Sequence, residues 1–556
     1  MQLRPKKLVV YAGNNWLRWR ELDTLAAPAR AAVPAYLQHG AALASEGVPG
    51  LLTNANEHLA RRVETALDWL ARLRRKTGVE VLFVIPATNL ADVEILHPVY
   101  WLRGSDTTTW YSLFGDAAAL IERDAWALAE VVARQMLTLD GGANATSWHL
   151  LARALRGRER HEEAREALEK ALEAGSWSDF HRLSGISAKT RALLRDGCRA
   201  RGLGHVDLHD ALAPSAPAGL LGYPAFVDHS HHSEEGITRV GKSIGHALAP
   251  VHANAANADD TTSLTPALRA LAAIQAALYD LHYNQPVVAG PSRLAMRLFG
   301  EALSLDAESA AVMSDYLVAR FTSPNAHLTR ARLRNLESRM PLPESSFNVW
   351  TLPVPEYEAI GAALAERGLS MEPEVDGAMR TFSAARPGLD LTSPRFVDTR
   401  GGLKSGEHPW LDASGVEPRP RLVRARMPRT VFYLVADEPT SLSLDVTLRV
   451  PHATGARVLL SINGRPLDAV SATGEWLTAP LFLPSASLRA GINRLAIDWP
   501  APVRDGSEAI ATAVARLGAA RPADLYPVFG EVFSAIIRDA KEARNDERTE
   551  RSRPES

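Results

Sequence analysis

The run Val79–Pro86, read Val-Glu-Val-Leu-Phe-Val-Ile-Pro, constrains the fold more than any other stretch of the chain. It is too short for an independent helix and almost continuously apolar, which suits a strand buried on both faces; such strands belong to parallel sheets with helices on either side. Leu8–Tyr11 and His205–Leu208 have the same texture. Between the first two runs, Asn54-Ala55-Asn56-Glu57 reads as a helix N-cap, and Leu59, Val63, Ala66, Leu67, Leu70 and Leu73 follow at helical spacing. A strand, helix, strand unit with a right-handed crossover follows from this. It sets Gly13-Asn14-Asn15 and Pro86-Ala87-Thr88-Asn89 at the carboxyl ends of neighbouring strands, where open α/β sheets bind ligands. The fold class expected for 1–253 is α/β, three-layered and flavodoxin-like, with a parallel sheet.

Between the second and third strands the pattern turns wholly helical, over 124–201. Within 145–175, Trp148, Leu151, Ala152, Leu155, Ala164, Leu168 and Ala171 fall on the positions of one tetratricopeptide repeat, a helix–turn–helix unit of about 34 residues. A single repeat cannot bury its own face, so it packs on neighbouring helices and offers a protein partner a surface. Beyond Gly236 a helix runs through Ile244–Leu248, and a polar linker follows. Residues 263–384 read as mainly helical, 385–428 as an extended connector rich in Pro, Gly and Arg, and 504–543 as a C-terminal helix before a charged, disordered tail at 544–556.

Over 429–503 the period changes to two. Leu442, Leu444, Val446, Leu448 and Val450 alternate with mostly polar residues, and Val458–Ile462 runs into Asn463-Gly464, a hairpin signal. An antiparallel β-sandwich is expected, and its Trp476 and Trp499 raise a carbohydrate-binding role against the ordinary use of aromatics as core.

At 556 residues the chain has room for about three to five units. Lys+Arg 62 against Asp+Glu 64 gives a net charge of -2, which offers nucleic acid or an anionic membrane no electrostatic footing. No run of about 18 apolar residues occurs, so no membrane span is expected. The start reads as a buried strand with no signal peptide. With one cysteine, Cys198, a disulfide framework is excluded, and the cytoplasm is the expected compartment.

The chemistry-bearing stretch is Asp228-His229-Ser230-His231-His232. An acid and an imidazole three positions apart on one loop can fold back so that the carboxylate fixes the ring tautomer. That is the arrangement of a general base for acyl transfer. A metal reading of the same histidines is weaker: histidines packed into one loop rarely converge on one centre, and no distant partner stands out. No metal and no cofactor are expected, and His229 and His232 read as solvated loop side chains.

Gly13-Asn14-Asn15 at a strand end, Asp228-His229-Ser230-His231 after the last strand, and Ser233-Glu234-Glu235-Gly236 opening the next helix together resemble the SGNH, or GDSL-like, hydrolase family, in particular its bacterial members with tetratricopeptide repeats. The resemblance covers roughly residues 1–250. It implies that His231 is the base, that Asp228 orients it, and that Asn15 with the Gly13 region forms the oxyanion hole. It implies an ester hydrolase or acyltransferase acting on an acyl-ester small molecule or a glycan.

Three family features are missing. Trp16 stands where an acidic residue usually follows Asn15, no Gly-x-Ser strand precedes Leu8, and the family's second, glycine-bearing block is absent. Ser105, in Gly104-Ser105-Asp106, imitates that block without a strand before it. The expected domain is therefore N-terminally incomplete and inactive as it stands, with Leu8–Tyr11 left as a bare apolar edge. A start placed too late, a second polypeptide supplying the missing part, and a non-catalytic binding or assembly protein are the three explanations. Retention of Asp228, His231 and Asn15 favours the first.

Overall fold

The structure, a computed structural model, describes residues 5–14, 41–92, 98–175, 185–248, 264–283, 292–322, 353–393, 395–397, 404–406, 422–515 and 526–538. They fall into two compact units, one of 1–263 with 505–526 and the other of 264–504 with 527–556.

In the first unit, β1 (Lys7–Tyr11), β2 (Glu80–Ile85) and β3 (Gly204–Asp207) form a parallel sheet in that order. Val9 lies opposite Leu82 and Val84 opposite Val206. The apolar texture of β2 is used on both faces. Val81, Phe83 and Ile85 pack with Leu59, Val63, Leu67 and Leu70 of α1 (Val48–Thr77) and with Leu194 of a later helix. Val84 packs the other way, against Leu208, Leu212, Leu221 and Phe226. Two layers of apolar side chains thus sandwich one strand, as a parallel sheet requires.

α1 begins at Val48, earlier than the Asn54 cap expected. Gly47 precedes it and Pro49 occupies its first turn, where a missing N–H costs nothing. Asn56 lies inside the helix and donates from Nδ2 to Glu173 at 3.1 Å.

The helices α2 (Asp106–Glu122), α3 (Trp126–Asp140), α4 (Ala145–Gly157) and α5 (His161–Gly175) lie between β2 and β3. α4 and α5 form a hairpin that buries Leu151, Leu155, Ala164, Leu168 and Ala171. α6 (Ala188–Ala200) is capped by Ser187, whose side chain accepts from the Thr190 N–H. α7 (Leu208–Leu212) and α8 (Glu234–Leu248) complete the layer on the second face.

Among the described residues the second unit opens with the helices α9 (Pro266–Tyr283), α10 (Arg293–Leu305), α11 (Ser309–Phe321), α12 (Val354–Ala365) and α13 (Pro373–Ser383). Between α11 and α12 a buried ion pair joins Arg320 to Glu356 at 3.1 Å. The strands that follow are β4 (Lys404–Gly406), β5 (Leu422–Ala425), β6 (Arg429–Ala436), β7 (Leu442–Arg449), β8 (Ala456–Ile462), β9 (Arg465–Pro466), β10 (Val470–Ala472), β11 (Leu477–Leu483) and β12 (Gly491–Asp498). Next come α14 (Gly506–Ala515), which belongs to the first unit, and β13 (Gly530–Arg538).

Among the described residues the strands make two sheets, β10-β8-β12-β6 with β9 beside β8, and β11-β7-β13-β5-β4. Leu444, Val446 and Leu448 of one sheet and Val458, Leu460, Ile462 and Ile497 of the other are buried. Asn463 and Gly464 turn the β8–β9 hairpin with positive φ at both, 51° and 79°, the conformation an Asn-Gly pair tolerates best.

Two expectations are corrected here. Residues 504–543 are not one C-terminal helix, because 530–538 is a strand in the middle of the antiparallel sheet β11-β7-β13-β5-β4. A bulge between Val532 and Ser534 inserts one residue, so the buried positions Val532, Ala535 and Ile537 lose the strict alternation that marks a strand. The stretch 385–428 is likewise no plain connector: Leu391, Phe396 and Val397 are buried, Ala385 donates to the Val435 carbonyl at 2.6 Å, and β5 pairs with β13. Its Pro, Gly and Arg content hides these few apolar anchors. The expected tail at 544–556 lies outside the described residues.

Candidate active site

At the carboxyl end of the parallel sheet, β2 runs into Pro86-Ala87-Thr88-Asn89, and Asn89 is almost wholly buried. Its backbone N–H donates to the His229 carbonyl at 3.0 Å. Its side-chain amide donates to the Asp228 carbonyl at 3.2 Å. One residue therefore clamps the loop that carries Asp228 and His231, by one backbone and one side-chain bond. Asn89 was legible only as part of a strand end, because its role exists only once the loop at 228–231 returns to β2.

Asp228 is 1% exposed and saturated with donors. Its Oδ1 accepts from the backbone N–H groups of Ser230 at 2.7 Å and His231 at 2.6 Å. Its Oδ2 faces His231 Nδ1 at 2.6 Å. Burial pushes the carboxyl up, but the His231 hydrogen bond, the charge of His229 and the two backbone donors outweigh it and hold Asp228 below the usual carboxylate value. His231 moves the other way: the Asp228 hydrogen bond raises it above the ordinary imidazole value against a smaller effect of burial. With Nδ1 committed to the carboxylate, Nε2 is the proton-exchanging nitrogen, on a side chain 65% exposed. The i, i+3 spacing thus brings the carboxylate and the imidazole into contact.

The neighbouring histidines are not solvated, contrary to expectation. His229 is 3% exposed. His232 sits with its ring centroid 4.7 Å from Phe226, burial holds its pKa below the ordinary imidazole value, and its Nε2 lies 3.3 Å from the Tyr11 hydroxyl. Both are drawn in because the loop folds against the apolar cluster of Phe226 and Leu221. Among the described residues no group of three or more His, Cys, Asp or Glu side chains is placed to hold a metal ion.

The Tyr11–His232 contact also joins the loop to β1. Beyond Tyr11, Gly13 is buried with φ +140°, and a Cβ there would lie 3.0 Å from Ile186 Cδ1 and 3.3 Å from Pro86 Cδ, so this position demands glycine on both conformational and steric grounds. The Asn14 carbonyl accepts from the Gly185 N–H at 3.1 Å. Asn15 and Trp16 lie outside the described residues. Ser105 precedes α2 and lends its carbonyl to the Thr108 and Thr109 N–H groups, the ordinary use of a residue at a helix start.

β1 itself is half covered. Among the described residues it pairs only with β2, and Val9 and Tyr11 are 41% and 48% exposed. An apolar strand with one unpaired edge is a liability that proteins usually cover.

No family model matches the chain, and no curated protein matches it. Among solved structures it is similar to one described as a family 35 carbohydrate binding module from an environmental isolate, at 14% identity and a TM-score of 0.14, over 21% of this chain and 67% of that one. A likeness that slight assigns neither fold nor ligand to any part of the chain. No described helix is long and apolar enough to cross a membrane.

Proposed function

We propose that the first unit is an acyl-transfer module of the SGNH type, an ester hydrolase or acyltransferase, with His231 as general base, Asp228 as its orienting carboxylate, and Gly13 with Asn15 as the oxyanion donors. The observation that carries this reading is the 2.6 Å contact between His231 Nδ1 and a buried, donor-saturated Asp228, with the remaining face of the imidazole exposed at the carboxyl end of a parallel sheet. In the reaction, His231 Nε2 takes the proton of an oxygen nucleophile as that oxygen bonds to the ester carbonyl carbon. The imidazolium then returns the proton to the departing alcohol, and Asp228 stabilises the transient charge. Water or a second alcohol repeats the sequence to release the acyl group.

The nucleophile in this reading is a serine on a strand that adds to the open edge of β1. What supports that placement is the half-exposed apolar side of β1 and its link to the loop through Tyr11 and His232. The substrate class is an acyl or acetyl ester of a small molecule or a glycan. The test is cleavage of 4-methylumbelliferyl acetate by the protein assayed together with the segment that carries the serine-bearing strand: once that pairing shows activity, His231→Ala is expected to lower the rate by about 10²- to 10⁴-fold, the usual share of a general base. Equal rates for His231→Ala and the parent, with equal thermal stability, would overturn the proposal.

A further inference from the structure

The two antiparallel sheets of the second unit differ in what covers the face of each that carries polar and aromatic side chains. That of the β10-β8-β12-β6 sheet is approached by α13, which packs on β6 and β12, and Arg494 of β12 pairs with Glu358 of α12. That of the other sheet carries exposed aromatic rings, with Trp476 at 38% and Phe482 and Phe533 at 45% each.

The ladder pairings set these groups in rows across the sheet. Arg449 lies opposite Glu531, and Glu531 opposite Arg424. Glu531 is 3% exposed and is held at 2.6 Å by Nε of each arginine. Arg449 in turn lies 4.5 Å from the centroid of the Trp476 ring, and Phe533, pushed outward by the bulge, meets that ring at 5.8 Å and 64°. The indole is thereby fixed before any ligand arrives, which removes part of the ordering cost of binding. In the next row Thr478 lies opposite Thr447 and Thr447 opposite Ser534, with the two threonine hydroxyls 2.9 Å apart. A rigid aromatic platform thus stands beside a row of hydroxyls.

Charge selects among occupants. Glu531 is matched by two arginines, and Asp445 by Arg538 at 2.5 Å, so the carboxylates of this face are spent internally. Three arginines against two carboxylates leave one positive charge, spread over the two guanidinium groups bonded to Glu531, so an ionic ligand finds only a weak field. A protein partner would want an apolar centre depleted of charge, whereas here the centre is a three-membered ion cluster. What fits is an uncharged molecule with a flat C–H face for the indole and hydroxyl groups for the threonine row.

We propose that the outer face of the β11-β7-β13-β5-β4 sheet is a binding surface for a neutral polysaccharide, with a sugar ring stacked on Trp476 and its hydroxyls met by Thr447 and Thr478. The surface is independent of the Asp228–His231 site. Trp499, the other tryptophan raised by the sequence, plays no part in it: it is 6% exposed and donates from Nε1 to Thr430 Oγ1 at 2.7 Å.

Affinity electrophoresis of the whole protein through gels containing soluble xylan, mixed-linkage β-glucan or galactomannan tests this. The expected result is retardation by at least one of the three, weakened at least about tenfold in apparent Kd by Trp476→Ala, as for truncation of a central aromatic anchor. Trp476→Phe is expected to retain part of it, Thr447→Val with Thr478→Val to weaken it, and His231→Ala to leave it unchanged. Circular dichroism and the melting temperature of Trp476→Ala confirm the fold. Absence of retardation in all three gels, or equal retardation of folded Trp476→Ala, overturns the proposal. Trp476-dependent dimerisation without retardation also overturns it, and assigns the face to a second copy of the chain.

Discussion

Asp228 in the first unit and Glu531 in the second are carboxylates buried to nearly the same degree, 1% and 3% exposed, and each is saturated by nitrogen donors. Their partners separate them. Glu531 faces two guanidinium groups and with them ties β7, β13 and β5 together. Asp228 faces a largely exposed imidazole, a group able to take up and release a proton, and its hydrogen bond raises that imidazole's pKa. A buried carboxylate is thus either a rivet or half of a proton-transfer device, and the chemistry of the group it holds decides which.

Breaking each in turn sharpens the contrast. The largest effect on stability is expected at the rivet: Glu531→Ala leaves two arginines facing each other across β13 and should cost about 3 kcal/mol, moderated by their partial exposure, as read from urea unfolding. Asp228→Asn keeps the size of the side chain but loses the charge and the acceptor for His231 Nδ1–H. Its expected signature is chemical, with ester cleavage falling at least about tenfold while unfolding changes little.

The pH dependence follows from the same shifts. Because the folded-state pKa of His231 is raised, the stability contributed by the charged pair is present below the ordinary imidazole value and is lost as pH rises through the raised one. Asp228, with its pKa depressed, contributes above the ordinary carboxylate value and loses that contribution as pH falls. The proposed reaction uses neutral His231, so under that reading activity should rise over the pH range in which the ion pair's stabilisation fades.

Smaller effects are expected from the residues that hold the loop. Asn89→Ala removes the side-chain bond to the Asp228 carbonyl and should cost about 1 kcal/mol, visible as faster hydrogen exchange over 228–231. Tyr11→Phe removes only the 3.3 Å contact to His232 and should cost about 0.5 kcal/mol or less.

Legibility in the sequence followed the range of the interactions. β2 could be read because its two-sided burial is written in consecutive residues, and the Asp228–His231 pair because both partners lie on one short loop. Asn89 could not, since its partners are more than a hundred positions away. β13 was disguised by its bulge, and α1 by a proline that starts the helix ahead of a better-looking cap. Trp476 and Trp499 look alike in sequence; only the pairing of their strands and the Thr430 hydroxyl distinguish a presented ring from a core one. The SGNH-type reading rests on the short motifs and on the geometry of one loop.

The most direct test is to measure, on one preparation that includes the serine-bearing strand, the pH–rate profile for 4-methylumbelliferyl acetate and the His231 pKa by proton NMR, in the parent and in Asp228→Asn. The account predicts a rate rising with a midpoint that coincides with the His231 pKa, above 6.5 in the parent, and both values moving down together in Asp228→Asn. A rate insensitive to His231 titration, or a His231 pKa unmoved by Asp228→Asn, would contradict it.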